Sequence, residues 1–197
     1  MKKVGIYSGT FDPVHAGHLG FAREAIAQCD LDKVFFLIEP SPRRKQGVKA
    51  FEHRVRMVQL AIQDESKFGS IMLEQQRFTV ADTLPALLKR FEGAELCLLI
   101  GDDGLSRLGD WPQIEKLLKS VCFVIGLRRL TRPEAQEQIA AVQQTRGLKL
   151  RYKLFQTPKP KISSSNIKRS LKSGNDSTGL PENVAEYINS QGLYTAK

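Results

Sequence analysis

The chain has 197 residues, 41% of them hydrophobic and 26% charged, with a net charge of +9 at pH 7. That is enough apolar chain for one packed core, and it excludes a disordered chain, a collagen-like chain and a membrane span, because the longest apolar runs fall far short of the ~20 residues a bilayer crossing needs. The positive balance points to anionic partners, nucleotide phosphates or nucleic acid, without choosing between them.

Strand and helix signals alternate from end to end. Val4–Tyr7 reads as an apolar strand, and Leu19, Ala22, Ile26 and Cys29 then recur at helical spacing. Val34–Ile38 is the continuous apolar run of a strand buried on both faces. Phe51, Val55, Val58 and Ile62 mark a second helix and Ile71–Leu73 a short strand. Thr79–Phe91 reads as a helix whose Pro85 is tolerable in a first turn. Leu96–Ile100 is the most apolar strand, followed by a helix over Ile114–Leu118, a strand over Val121–Leu127, a helix over Pro133–Thr145 and a strand over Leu148–Phe155. Two helices, one after Ser163 and one after Pro181, close the chain.

This alternation predicts an α/β fold: a doubly wound, Rossmann-like parallel sheet with helices on both faces and a C-terminal helical end, forming a single domain over residues 1–197. Ligands of such sheets sit outside the carboxyl ends of the strands, so the chemistry is expected in loops 8–18, 39–50, 101–111, 127–132 and 157–168. Cys29, Cys97 and Cys122 are far apart in sequence and read as buried thiols of a reducing compartment, not as a disulfide or zinc framework. With no leader signal ahead of the first strand, a cytoplasmic protein without a membrane partner is expected; a homo-oligomer is open.

One stretch organises the chain: Gly5 to His18, in which an apolar strand passes through the turn-prone run Ser8–Pro13 into a helix bearing His15 and His18 near its start. A glycine lets backbone N–H groups approach a ligand, and a helix N-terminus offers unpaired N–H groups and partial positive charge to an anion. Histidines three residues apart share one helical face and can grip neighbouring phosphate oxygens. The common phosphate fingerprints, G-x-x-x-x-G-K-[ST] and G-x-G-x-x-G, are absent. A second candidate cradle is Ile162-Ser163-Ser164-Ser165-Asn166-Ile167-Lys168: its serines read as helix caps or as phosphate ligands, with Lys168 a nearby cation.

Gly9-Thr10-Phe11-Asp12-Pro13 with His15-x-x-His18 resembles the T/HxGH motif of the nucleotidylyltransferase superfamily, and residues 162–168 resemble its I-S-S-[TS]-x-I-R motif. Leu99-Ile100-Gly101-Asp102-Asp103 with Trp111 is similar to the I-G-[AS]-D…W segment of nicotinate-nucleotide adenylyltransferases, as are Pro42-Arg43-Arg44-Lys45, Arg54-x-x-Met57-x-x-Leu60, Arg128 after its strand, and the closing Leu180-Pro181…Gly192-Leu193-Tyr194. The likeness runs from residue 5 to about residue 194.

The resemblance implies adenylyl transfer from ATP to nicotinate mononucleotide, with magnesium entering bound to ATP. It implies that His15 and His18 are catalytic and that ATP is held by Ser8, Gly9, Thr10, Phe11, His15, His18, Gly101, Asp103, Ile162, Ser163, Ser164 and Lys168. Asp103 would hydrogen-bond a ribose. Lys45, Thr83, Trp111 and Arg128 would bind the acceptor, with Trp111 stacked on its pyridine ring. The chain departs from the family pattern at Ser8, at Val80, at Asp102 (an extra charge expected beside an anionic ligand), in a 43–45 loop lacking histidine, and at Lys168, where the family has arginine. One alternative is the same chemistry on nicotinamide mononucleotide or another phosphorylated acceptor. Another, of a different class, is a non-catalytic nucleotide or RNA binding module; against it, aromatic residues are not interleaved with the basic ones, and no specific nucleic-acid partner is expected.

Overall fold

Six strands form one sheet in the computed structural model, which describes residues 1–42, 47–72, 75–157, 162–174 and 178–195. They are β1 (Lys3–Gly9), β2 (Lys33–Ile38), β3 (Phe68–Met72), β4 (Glu95–Gly101), β5 (Cys122–Leu127) and β6 (Tyr152–Gln156). All pair in parallel, in the order β3-β2-β1-β4-β5-β6. Strand order therefore reverses between β1 and β4, and the crevice at their carboxyl ends is the ligand position of a doubly wound sheet. The helices are α1 (Ala16–Cys29), α2 (Phe51–Ile62), α3 (Thr83–Arg90), α4 (Asp102–Leu105), α5 (Ile114–Ser120), α6 (Arg132–Arg146), α7 (Ser164–Lys172) and α8 (Glu182–Ser190).

The two-residue period of the strands builds two cores. Tyr7, Phe36, Leu99 and Val124 face one way, against apolar residues of α1, α2 and α8. Ile6, Leu37, Leu98 and Phe123 face the other, against α3, α5 and α6. Every residue of β5 is buried, as its unbroken apolar run requires. Each large side chain so buried contributes about 1.5–3 kcal/mol.

Boundaries move where local hydrogen bonds compete with the apolar pattern. The helix expected from Thr79 begins at Thr83, because the Thr79 and Asp82 side chains bond each other and the Asp82 N–H turns back to Thr79 Oγ1. Pro85 sits in its first turn, where no N–H is missed. The last strand starts at Tyr152 and not at Leu148: Gly147 ends α6 with a left-handed backbone, and the Leu150 N–H goes to the Gln143 side chain. The third strand is Phe68–Met72; Leu73 lies outside the described residues. Helix α4 and a 3-10 turn at Leu108–Asp110 have no counterpart in the expected elements, being too short to show a period. The three cysteines are free and buried, and Cys97 and Cys122 are register partners on adjacent strands.

Candidate active site

The loop leaving β1 lies at the crevice between β1 and β4. Gly9 has no room for a side chain, since a Cβ there would lie 2.7 Å from the Phe11 ring. Phe11 adopts a left-handed backbone (φ 51°) that turns its ring into the core, against Tyr7, His18 and Phe36. The peptide from Asp12 to Pro13 is cis. The Phe11 ring is thus a wall of the loop; it is 2% exposed. The Ser8 hydroxyl donates to Glu39 on the neighbouring strand end at 2.8 Å.

Helix α1 begins at Ala16, so His15 is its N-cap and not a helical residue. The Gly17 N–H donates to His15 Nδ1 at 3.1 Å, and the His15 N–H donates to His18 Nδ1 at 3.2 Å. These two bonds bring the rings together, with centroids 3.8 Å apart and planes tilted by 31°. They also decide the tautomers. Each Nδ1 accepts, so each neutral ring carries its proton on Nε2. Burial, reinforced by the nearby Arg128 guanidinium, pushes the His15 pKa down to about 4, which keeps that ring uncharged.

The expectation of unpaired N–H groups at this helix start is corrected. Ala16 N–H donates to Gly179 O, Gly17 N–H to His15 Nδ1, and both His18 and Leu19 N–H to His15 O. The backbone N–H groups of this first turn therefore already have partners within the protein.

Arg54 organises the loop from beneath. It lies on the apolar face of α2, is fully buried, and meets carbonyls rather than a carboxylate. Its Nη1 donates to Thr10 O at 2.9 Å and Glu39 O at 2.8 Å, its Nη2 to Pro40 O at 2.7 Å and its Nε to Lys49 O at 3.0 Å. One guanidinium therefore ties the loop after β1 to the segment after β2, the donor and acceptor loops of the expected reaction. Asp12, 3% exposed, is a second tie: Oδ1 accepts from Tyr194 Oη at 2.6 Å and Lys49 N at 3.2 Å, and Oδ2 accepts from Lys168 Nζ at 2.8 Å. Neither residue has a role among the expectations drawn from the sequence. For Arg54 the signal was available: it falls on the stripe of Phe51, Val55 and Val58, where a charge is costly unless it is fully hydrogen-bonded.

At the end of β4, Gly101 is hard against the Asp103 carboxylate. The two aspartates that follow point apart. Asp102 turns inward, and its Oδ2 accepts from the backbone N–H groups of Arg128, Arg129 and Leu130 at 2.9, 2.6 and 3.1 Å. Burial raises its pKa, but these backbone donors outweigh burial and hold it below the ordinary carboxylate range. The expected repulsion between Asp102 and a bound anion is therefore corrected: its charge is spent pinning the loop after β5. Asp103 stays exposed, 3.7 Å from Arg107.

The Arg128 guanidinium lies over the Phe21 ring at 5.1 Å, and its buried Nε has no hydrogen-bond partner among the described residues. Phe21 reaches that position because Gly126 leaves its ring room. Burial pushes the Tyr7 hydroxyl up to about 12, the same guanidinium opposing the shift. Arg128 thus stands on the histidine side of the crevice.

Two serines of the 162–168 motif bond to the protein itself, and Ser163 and Ser165 are exposed. Ser163 is the N-cap of α7 and accepts from Asn166 N–H at 3.2 Å; Ser164 Oγ donates to Pro13 O at 3.1 Å. The Ile162 side chain packs at Gly179. Capping, docking of α7 on the first loop and the Asp12–Lys168 pair are what this motif does in the structure. Of the acceptor candidates, Thr83 is 1% exposed and accepts from Thr79 N–H, a local cap. Trp111 is half-buried at the end of the 3-10 turn, against the α3–α5 side of the core. Lys45 lies outside the described residues.

Comparison with known proteins places this geometry in a class. A family model described as cytidylyltransferase-like matches residues 6–170, and the chain belongs to that family. Within it, the chain is 36% identical over 214 residues to the probable nicotinate-nucleotide adenylyltransferase of Desulfotalea psychrophila, covering 98% of this chain and 100% of that one. It is 33% identical over 203 residues to the nicotinate-nucleotide adenylyltransferase of Bacillus subtilis, covering 98% and 99%. Among solved structures, Plasmodium falciparum nicotinic acid mononucleotide adenylyltransferase complexed with NaAD superposes with a TM-score of 0.79 at 21% identity over 98% of each chain, a match of fold.

Proposed function

We propose that this chain is an enzyme of NAD biosynthesis that transfers the adenylyl group of ATP to nicotinate mononucleotide, giving nicotinate adenine dinucleotide and pyrophosphate. The observation that carries the reading is the reciprocal capping of His15 and His18, which sets two neutral imidazoles side by side at the β1/β4 crevice with Nε2–H as the donor of each. Paired neutral donors suit the α,β-phosphate oxygens of ATP, and their relatives' descriptions name the matching reaction.

An acceptor phosphate oxygen attacks the α-phosphorus in line. The new P–O bond forms as the bond from the α-phosphorus to the bridging oxygen breaks, and its electron pair leaves with pyrophosphate. An anionic nucleophile needs no general base, so catalysis is positioning and charge stabilisation. His15 and His18 hold and polarise the transferred phosphate, Lys168 and Arg128 offset charge on the triphosphate, and the backbone of Gly9 and Thr10 shapes the floor. Ser8, Phe11, Ile162, Ser163 and Ser164 act through the loop they build. Asp103, exposed just after β4, takes a ribose hydroxyl. Lys45, Trp111 and Thr83 belong to the acceptor side, Thr83 by shaping the start of α3.

The donor set fits a magnesium ion carried on ATP. Among the described residues no three His, Cys, Asp or Glu groups come together to hold a metal, and Asp12 and Asp102 already accept hydrogen bonds from within the protein. Magnesium bound with ATP would supply charge neutralisation, with Lys168 and Arg128 as this chain's own cations beside the phosphates. No helix among the described residues is long and apolar enough to cross a membrane; a cytoplasmic enzyme is the matching proposal.

The test is pyrophosphate release from magnesium–ATP with nicotinate mononucleotide, nicotinamide mononucleotide and no acceptor in parallel. Release with the nicotinate compound far above the amide is the expected result. Equal rates would refute the acceptor assignment, and no release with either would refute the reaction.

A further inference from the structure

We propose that Asp12 is a positioning residue for the nucleotide phosphates: its carboxylate holds the Lys168 ammonium in place, and the Tyr194 hydroxyl, almost at the other end of the chain, holds Asp12. The inference rests on the reading that Lys168 meets the ATP phosphates.

The geometry is a chain of three contacts. Tyr194 Oη donates to Asp12 Oδ1 at 2.6 Å, and Lys168 Nζ donates to Asp12 Oδ2 at 2.8 Å. Lys49 N–H takes a further site on Oδ1 at 3.2 Å. Asp12 is 3% exposed and Tyr194 is 3% exposed, whereas the Lys168 side chain is 27% exposed. The pair is thus anchored at its buried end and open at the other.

An ammonium has three donors, and the bond to Asp12 uses one. The remaining N–H groups are left for phosphate oxygens, aimed from a fixed nitrogen. An arginine orients itself through its planar fork; a lysine is a point charge on a four-carbon stem and needs a partner to define where it stands. Asp12 supplies that definition.

Tyr194 is built to hold the carboxylate. Its backbone is left-handed (φ 62°), its ring packs in the α1–α2–α8 core, and the Lys49 ammonium lies 5.3 Å from the ring centroid. Burial, then the bond to Asp12, raises its pKa, so the hydroxyl stays a donor throughout the neutral range. The Leu193 N–H donates to Ile188 O at 2.9 Å, so the tail that carries Tyr194 is tied to α8. With the Oδ1 bonds made to Tyr194 and Lys49, only Oδ2 is left to Lys168, and the ammonium has one resting place.

The experiment is a double-mutant cycle on the full chain, with Tyr194→Phe, Lys168→Met and the pair, reading the KM for ATP and kcat separately. Tyr194→Phe keeps the ring in the core and removes only the hydroxyl. Lys168→Met is expected to raise the KM for ATP about tenfold, the loss of one charged hydrogen bond, and Tyr194→Phe about threefold. The Tyr194→Phe effect should vanish in the Lys168→Met background, because its target is gone. A purely structural role for Tyr194 would leave the two effects multiplicative and overturn the proposal. If Lys168→Met weakens ATP while Tyr194→Phe changes nothing, the proposal falls and the Lys168 reading stands. If Lys168→Met leaves the KM for ATP unchanged, both fall. Asp12→Asn, which keeps an oxygen for Tyr194 but loses the charge, should match Lys168→Met within a few-fold; near-parent kinetics there would also overturn it.

Discussion

Replacing Arg54 with methionine tests how the two loops of the crevice are held together. The thioether fills most of the volume of the arginine stem, so the cavity contribution is small and the loss is chiefly of hydrogen bonds. Four bonds disappear, to the carbonyls of Lys49, Thr10, Glu39 and Pro40. Bonds from a charged donor are worth ~1.5–3 kcal/mol each by substitution. They do not add here, because all four share one group and only the Thr10 carbonyl bond is fully buried; water can reach the others once the loop relaxes. Desolvation of the guanidinium, which lowers its pKa, also offsets part of the gain. The expected cost is about 3–5 kcal/mol, the range for removing one partner of a buried charged network, a large share of the ~5–15 kcal/mol that folds a domain. Arg54→Lys, with one point charge for four carbonyls, should cost about 2 kcal/mol by the same per-bond range. Urea unfolding at pH 7 measures both. Where the variant is still folded, the KM for both substrates should rise, because the carbonyls it ties lie on both loops. Arg54→Met within about 1 kcal/mol of the parent by the same measure, with both KM values unchanged, would refute the argument.

Asp102→Ala should lose about 2–3 kcal/mol, since three backbone N–H groups are left without their acceptor, and Asp102→Asn about half of that. A loss under about 0.5 kcal/mol in urea unfolding for the alanine variant would show that water serves the loop equally well. His15 should titrate near its depressed value of about 4 in the free protein, followed by ring NMR; a midpoint near 6.5 would contradict its burial. Because the folded pKa lies below the unfolded one, the unfolded chain takes up the proton first. Stability is full above pH 6.5, declines between 6.5 and 4, and the loss, of order 3 kcal/mol, levels off below 4; it should be smaller in His15→Asn. His18→Ala should lower turnover about a hundredfold or more while ATP affinity falls only a few-fold, the pattern of a donor that acts most strongly in the transition state. Near-parent turnover, measured as pyrophosphate release, would remove His18 from the mechanism.

The relation of sequence to structure is uneven along the chain. The alternation of apolar strands and amphipathic helices was legible because burial on both faces of a parallel sheet demands it; the helix around Pro85 was legible because a first turn tolerates proline, though its start moved from Thr79 to Thr83. Candidate ligand loops followed from strand polarity alone. His15 and His18 stood out because their chemistry is rare at a strand–helix turn, but their tautomers did not, since these depend on which N–H meets which Nδ1. Helix-start donors, predicted as unpaired, turned out to be consumed by His15 and by Gly179, whose position no local pattern could place beside Ala16.

What the sequence by itself determined was the class of fold and which side chains are candidates for the chemistry, because both rest on local period and residue type. What only the tertiary structure decided was how the charges are paired. Asp102 faces inward to the loop after β5, Arg54 meets four carbonyls, and Asp12 joins Tyr194 and Lys168 across 182 and 156 residues of chain. A buried charge is stable only with partners, and those partners arrive from elements whose neighbourhood is set by strand order, a property of the packed sheet that no stretch of sequence carries alone.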